Sequence, residues 1–317
     1  MKKLFIAMLA VAAVTACAKD EAISIDRQAI GFGNPFVENS TRAAIDSSYS
    51  GTKELTSFKV YGTVTGTAGT VNIFAGVPVT GNVGDTAWSY DEQYAQYWIP
   101  KADYDFAAVV DATVGDDDVD TNGMPTKLHT IADATSNLED MLYATAHVED
   151  ATANQGVVNF NFSHLLSKVH FTVTSNALGG YYHTVTGIKV SNFESGTYTI
   201  NGGTWAGTTA KDVTFAEIAE VTNASGAKSN ADLLLVPNAD TFKVEFTVNL
   251  YKGTTLLGTT TYADGDADEV HNAISVNSAL VKGNSYNFTI DCEVGLPIQF
   301  SVEDEPTWSE QPDVPIQ

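Results

Sequence analysis

Few side chains in this sequence are arranged to do chemistry. Cys17 is one of two cysteines among 317 residues, and a free thiol is the most readily modified nucleophile in a short exposed segment. Asp118-Val119-Asp120-Thr121-Asn122-Gly123 matches the opening of a calcium loop, with Asp118, Asp120 and Asn122 as oxygen ligands. The twelfth position of that loop is His129, where a bidentate Glu is needed, so a solvated acidic loop is the simpler reading. A second acidic run, Asp264-Gly-Asp-Ala-Asp-Glu, lacks the turn glycine at its sixth position. The histidines at 129, 147, 164, 170, 183 and 271 show no metal-ligand spacing. No G-x-S-x-G, H-E-x-x-H or phosphate-loop pattern occurs, and carboxylate pairs are too common here to mark a glycosidase. The expectation is a chain that is not an enzyme and uses no cofactor or resident metal.

Cys17 is positioned by what precedes it. A basic start, Met1-Lys2-Lys3, leads into an apolar run over residues 4–14 and then small residues before the cysteine. This is a secretory signal, too short to span a bilayer stably. The cysteine after the cut resembles a bacterial lipobox, whose cysteine is acylated on sulfur and on its new amino group. Several acyl chains on one residue hold a protein on a membrane far better than one. Cys17-Ala18-Lys19-Asp20-Glu21 also resembles the Cys-x-Lys-acidic-acidic start of lipoproteins exported to the cell surface in the Bacteroidetes.

The body must supply everything else. Its formal charge is −23, from 39 acidic and 16 basic residues, which excludes nucleic acid as a partner. Anionic headgroups would repel it, leaving lipid on Cys17 as its only membrane contact. Cys292 has no partner for a disulfide and reads as a small buried hydrophobe. Hydrophobic alternation of period two recurs along the chain, at 55–64, 71–75, 157–162, 168–174, 242–251, 284–290 and 298–302, with Gly, Asn and Asp between the runs. Many short strands at this spacing predict an all-β chain of sandwiches or barrels. Helical patterns are scarce: residues 136–143 suggest one or two turns, and residues 163–168 a short helical connector, with a domain boundary near 165.

Phe160-Asn-Phe-Ser-His-Leu-Leu-Ser-Lys-Val-His-Phe-Thr-Val resembles the central motif of the fimbrillin family of the Bacteroidetes, which joins the last strand of one domain to the first of the next. Thr41-Arg42-Ala43 falls where that family is cut during maturation, and residues 284–290, 298–302 and Trp308 resemble its C-terminal strands and tail. The resemblance implies two transthyretin-like Greek-key β-sandwich domains in tandem. On this division residues 1–17 are the signal, 18–42 a propeptide with a removable strand, and 43–165 and 166–317 the two domains. It further implies a pilus subunit, carried to the outer membrane through lipid on Cys17. An arginine-specific protease would cut between Arg42 and Ala43, and polymers with other fimbrial subunits would form by strand exchange. The arginines fit: Arg27 and Arg42 are the only two in the chain, so a subunit starting at Ala43 has none, while eleven lysines remain. Arg42 lies among small polar residues, which suits cleavage, whereas Arg27 lies in an alternating run. Residues 22–32 are the expected removed strand.

The expected donor is the tail from Leu296 to Gln317. Ile298, Phe300 and Val302 share one face, Trp308 follows, and Val314 and Ile316 alternate near the end. Pro306, Pro312 and Pro315 suit an extended segment better than a central strand. The alternative for 298–302 is the last strand of the second domain, and both readings stand on sequence alone. A stalk, tip or anchor subunit fits. So does a monomeric surface lipoprotein that binds glycan through Trp88, Tyr90, Tyr94, Tyr97 and Trp98, although such aromatics more often pack in a core. Cys17 is expected to lie outside any packed element, so Cys17→Ser should abolish palmitate labelling and outer-membrane sorting while the body still folds. Labelling that survives the substitution would contradict the lipid assignment.

Overall fold

The structure, a computed structural model, describes residues 28–37 and 55–305, apart from 83–84, 86, 133–136, 153–154, 239–240, 265–269, 272 and 277–278. Cys17, Arg42, Ala43, Trp308, Val314 and Ile316 lie outside the described residues. The protein is all-β. Among the described residues the only helix is one 3-10 turn, Glu92–Tyr94.

The first half builds a six-stranded sheet in the order Phe36–Val37, Asn161–His164, Leu142–Val148, Asp103–Val110, Ser57–Gly66, Gly69–Thr80. A smaller layer faces it: Gly31–Phe32, Val157–Val158 and the segment 88–98. Between them lies a core rich in aromatic rings, including Phe58, Phe74, Trp88, Trp98, Tyr104, Phe106, Phe160 and Phe162. Alternation creates it. In Asp103–Val110, Tyr104 and Phe106 turn inward while Asp103 and Asp105 face outward.

The second half is a sandwich. One sheet runs Lys228–Ser229, Ser167–Ser175, Ser285–Cys292, Gln299–Glu305, with Leu233–Leu235 also paired to Ser167–Ser175. The other is built around the long strand Tyr181–Thr199, which pairs with Phe242–Lys252, Thr204–Thr214 and Ile218–Val221. Thr255–Tyr262 extends it beyond Phe242–Lys252. Val169, Phe171, Phe288 and Ile290 of one sheet meet Val185, Val190, Val244 and Phe246 of the other. Cys292 is buried there without a partner, and burial followed by the neighbouring Asp291 charge pushes its thiol up to about 12.

Two local expectations are corrected. Residues 163–168 form no helix. They end the strand Asn161–His164 and begin Ser167–Ser175, with Leu165 and Leu166 between. Both leucines are fully buried, and Leu165 N–H donates to the Met141 carbonyl at 2.9 Å. An extended backbone keeps such ladder bonds and sends neighbouring side chains to opposite sides, which a helical turn would not do. Residues 137–143 are likewise extended, ending in Leu142–Val148, where pairing on both sides overrides a modest helical preference.

The halves also share structure. Ala112–Thr113 and Lys127–Thr130 belong to the first half by sequence, but they lengthen the sheet of the second through pairing of Thr197 with His129. A third apolar cluster fills the junction: Tyr61, Val109, Leu128, Met141, Leu165, Leu166 and Tyr198. Beside it a buried pair, His164 Nδ1 and Asp140 Oδ2, closes to 3.0 Å. His164 is thus a packing and pairing residue.

Candidate functional site: the slot filled by the N-terminal strand

Residues 28–37 precede Arg42 in sequence yet lie inside the first core. Ile30, Phe32 and Val37 are each at most 1% exposed. The backbone is bonded on both sides. Gly31 and Phe32 pair in parallel with Val157 and Val158, and Gly33 N–H donates to the Val158 carbonyl at 2.9 Å. On the opposite side Ile30 N–H donates to Gln96 O at 2.8 Å, and Trp88 N–H to Phe32 O at 2.9 Å. Trp98 N–H donates to Gln28 O at 3.2 Å, and the Tyr90 hydroxyl to Ile30 O at 2.6 Å. Further on, Phe36 and Val37 pair with Asn161 and Phe162. The strand thus extends beyond the expected limit at residue 32.

Phe32 is the centre of a cage of rings. Its centroid lies 5.6 Å from Phe74, 5.7 Å from Tyr90, 5.9 Å from Phe160 and 6.2 Å from both Phe58 and Phe106. Four of these contacts are edge-on and one is stacked, the geometries favoured by ring quadrupoles. Burying such a ring contributes about 1.5–3 kcal/mol, and each good ring pair adds roughly 0.5–1.5 kcal/mol. The flanking glycines have a steric reason. A Cβ on Gly31 would sit 3.3 Å from Val157 Cγ1, and one on Gly33 would overlap Asn159 Oδ1.

The slot therefore has ladder groups on two walls and an aromatic floor. Without its strand, buried N–H and C=O groups would lose their partners and the rings would face water. Sequence reading found the strand through its alternation but not its place in the core, because its partners lie more than fifty residues away.

Trp88 and Trp98 are buried slot walls, and Tyr90 packs on Phe32 and Phe74, so only Tyr94 and Tyr97 of the expected aromatic platform are well exposed. Residues 298–302 lie at the other end of the chain's folded body. Gln299–Glu305 pairs antiparallel with Ser285–Cys292, placing Ile290 opposite Phe300 and Phe288 opposite Val302. Ile298, Phe300 and Val302 are partly buried against the second core.

In the acidic loop the carboxylates are engaged within the protein. Asp118 Oδ2 accepts from Gly115 N–H at 3.1 Å and meets His129 Nε2 at 2.8 Å. Asp120 Oδ1 accepts from the N–H groups of Asn122 and Met124, and the Asn122 carbonyl accepts from Asn72 Nδ2. Among the described residues no group of three or more His, Cys, Asp or Glu is arranged to hold a metal. The first and twelfth positions of the sequence loop, Asp118 and His129, bond to each other. His129 Nδ1 also meets Thr197 Oγ1 at 2.9 Å, which staples this loop to the second sheet. The His129 hydrogen bond, first among its causes, holds the Asp118 carboxyl below its usual range.

The sequence pattern of the fimbrillin-like family matches residues 41–305, so this chain belongs to that family, a structural rather than enzymatic one. The strand at 28–37 lies before the matched span. A fimbrial protein from Bacteroides vulgatus has the same fold, with a TM-score of 0.62 at 16% identity over 88% of this chain and 99% of that one. A proposed cell adhesion protein from Bacteroides uniformis gives 0.56 at 19% identity, over 90% and 100%. Another, from Bacteroides ovatus, gives 0.53 at 14%, over 90% and 99%. At these identities the likeness is one of fold. No curated protein matches the chain.

Two outcomes are expected. In the uncut chain, Phe32→Ala should destabilise the first core by about 3–5 kcal/mol, read as a shift in denaturant midpoint. Asp118 titrates lower in the folded state than unfolded, so its bond to His129 contributes stability above the ordinary aspartate pKa of about 3.9. That contribution fades as pH falls through the lowered folded value. Wild type and Asp118→Asn should therefore differ in unfolding free energy near neutral pH and converge in acid. A gap independent of pH would show that the bond contributes through shape alone.

Proposed function

We propose that this chain is a structural subunit of a surface fimbria, exported as a lipoprotein on Cys17, cut after Arg42 and polymerised by donor-strand exchange. The observation that carries the reading is the position of residues 28–37. They are integral to the first core, yet they are joined to the rest of the body only through the segment that holds Arg42. A cut there converts the N-terminal strand from part of the chain into a ligand held by ladder bonds, Ile30, Phe32 and Val37. Its loss would open a slot that only another extended segment can satisfy, since strand addition supplies both backbone partners and alternating side chains.

Cys17 and residues 28–37 lie on the same side of Arg42. One cleavage by an arginine-specific protease would therefore detach the lipid and free the slot together. A subunit could then leave the outer membrane only when it is able to accept a donor. Its partners are other fimbrial subunits, in a homopolymer or a mixed fibre, whose tails contribute strands. Supporting adhesion follows from this placement at the cell surface.

N-terminal sequencing of the surface-assembled form should give Ala43, and Arg42→Ala should leave a lipidated, monomeric precursor. Assembled material that begins at Cys17, or polymers formed by Arg42→Ala, would overturn the reading.

A further inference from the structure

Two asparagine–glycine pairs occur in the chain, Asn122-Gly123 and Asn201-Gly202. Such a pair can react with itself. The backbone nitrogen of the glycine attacks the side-chain amide carbon of the asparagine, and glycine has no side chain to hinder the approach. The fold treats the two pairs differently. We infer that Asn201 is a self-modifying site in the folded protein, converting to aspartate and isoaspartate, and that Asn122 is held against the same reaction. The site lies outside the slot and does not depend on strand exchange.

The chemistry needs only water. A bond forms between Gly202 N and Asn201 Cγ, and the Cγ–Nδ2 bond breaks. Ammonia leaves, carrying the proton from Gly202 N–H. Water then opens the cyclic imide at either carbonyl. One opening leaves an ordinary aspartate at position 201. The other leaves isoaspartate, in which the main chain runs through the former side-chain carbon.

Ring closure requires the peptide between the two residues to rotate until its nitrogen faces Cγ. At 122–123 both ends of that peptide are held. The Asn122 carbonyl accepts from Asn72 Nδ2 at 2.9 Å, and Gly123 N–H donates to the Asp120 carbonyl at 2.9 Å. Asn122 N–H also donates to Asp120 Oδ1 at 2.8 Å. At 201–202 neither the Asn201 carbonyl nor Gly202 N–H has a hydrogen-bond partner among the described residues, and both residues are exposed. The bonds there hold the ends of the turn and leave its middle peptide free. Ile200 N–H donates to the Thr126 carbonyl at 2.9 Å, and Gly203 N–H to the Ile200 carbonyl at 3.2 Å.

The position gives the change a consequence. Residues 200–203 join Tyr181–Thr199 to Thr204–Thr214. The product adds a negative charge to this turn, and isoaspartate adds a main-chain carbon as well. The Ile200–Thr126 bond continues the pairing of Lys127–Thr130 with Thr197–Thr199, so the altered turn adjoins a tie between the two halves.

Peptide mapping by mass spectrometry tests the inference on the folded full chain, sampled during incubation in mildly alkaline buffer. Isoaspartyl methyltransferase labelling identifies the rearranged product. Asn201 should lose its amide at least about tenfold faster than Asn122, as expected when two ordinary hydrogen bonds must open before Asn122 reacts. In concentrated urea the two should react at similar rates. Asn72→Ala removes one bond from the 122–123 peptide through an exposed side chain. It should speed loss at Asn122 several-fold and leave Asn201 unchanged. Equal rates in the folded chain, faster loss at Asn122, or a gap that persists in urea would overturn the inference. An unchanged Asn122 rate in Asn72→Ala would overturn the protection assigned to that bond.

Discussion

The packing of Phe32 among five aromatic rings is the interaction on which the first half depends. The ring comes from a ten-residue described stretch that touches the rest of its half almost entirely through this core and its two ladders. Phe58, Phe74, Phe106 and Phe160 come from four different segments, and Phe32 packs against all of them. Aromatic cores tolerate an empty centre poorly, since rigid rings cannot collapse to fill it. The first core therefore needs an extended segment in this place.

The second half has no comparable dependence. Its two sheets bury aliphatic and aromatic side chains from strands that lie close in sequence or pair over long ladders, and its last strand only covers an edge. Between the halves, Leu165 and Leu166 and the loop carrying His129 tie one sandwich to the other through both apolar packing and a continuous sheet. Force or strain applied to one half would pass to the other along covalent and ladder connections rather than across a flexible linker.

The contrast between the two terminal strands has a simple physical basis. Ile30 and Phe32 sit in a slot with two ladders, while Ile298 and Phe300 sit at an edge with one. Similar side-chain patterns thus occupy sites of different depth. The charge of −23 disfavours nonspecific association between copies.

Alternation of apolar and polar residues made the all-β class legible, along with most strands, because facing inward or outward is a property a strand carries by itself. The helical turns expected at 136–143 and 163–168 were not found, since buried leucines in extended backbone look the same as one helical turn over so few residues. What the tertiary structure alone decided was pairing: that 28–32 lies between 88–98 and 157–158, that Lys127–Thr130 joins the sheet of the other half, and that Asp118 and His129 bond to each other. Pairing depends on distant segments meeting with matching shape and register. A short pattern such as Ile-x-Phe fits more than one site, so it cannot specify its own neighbour.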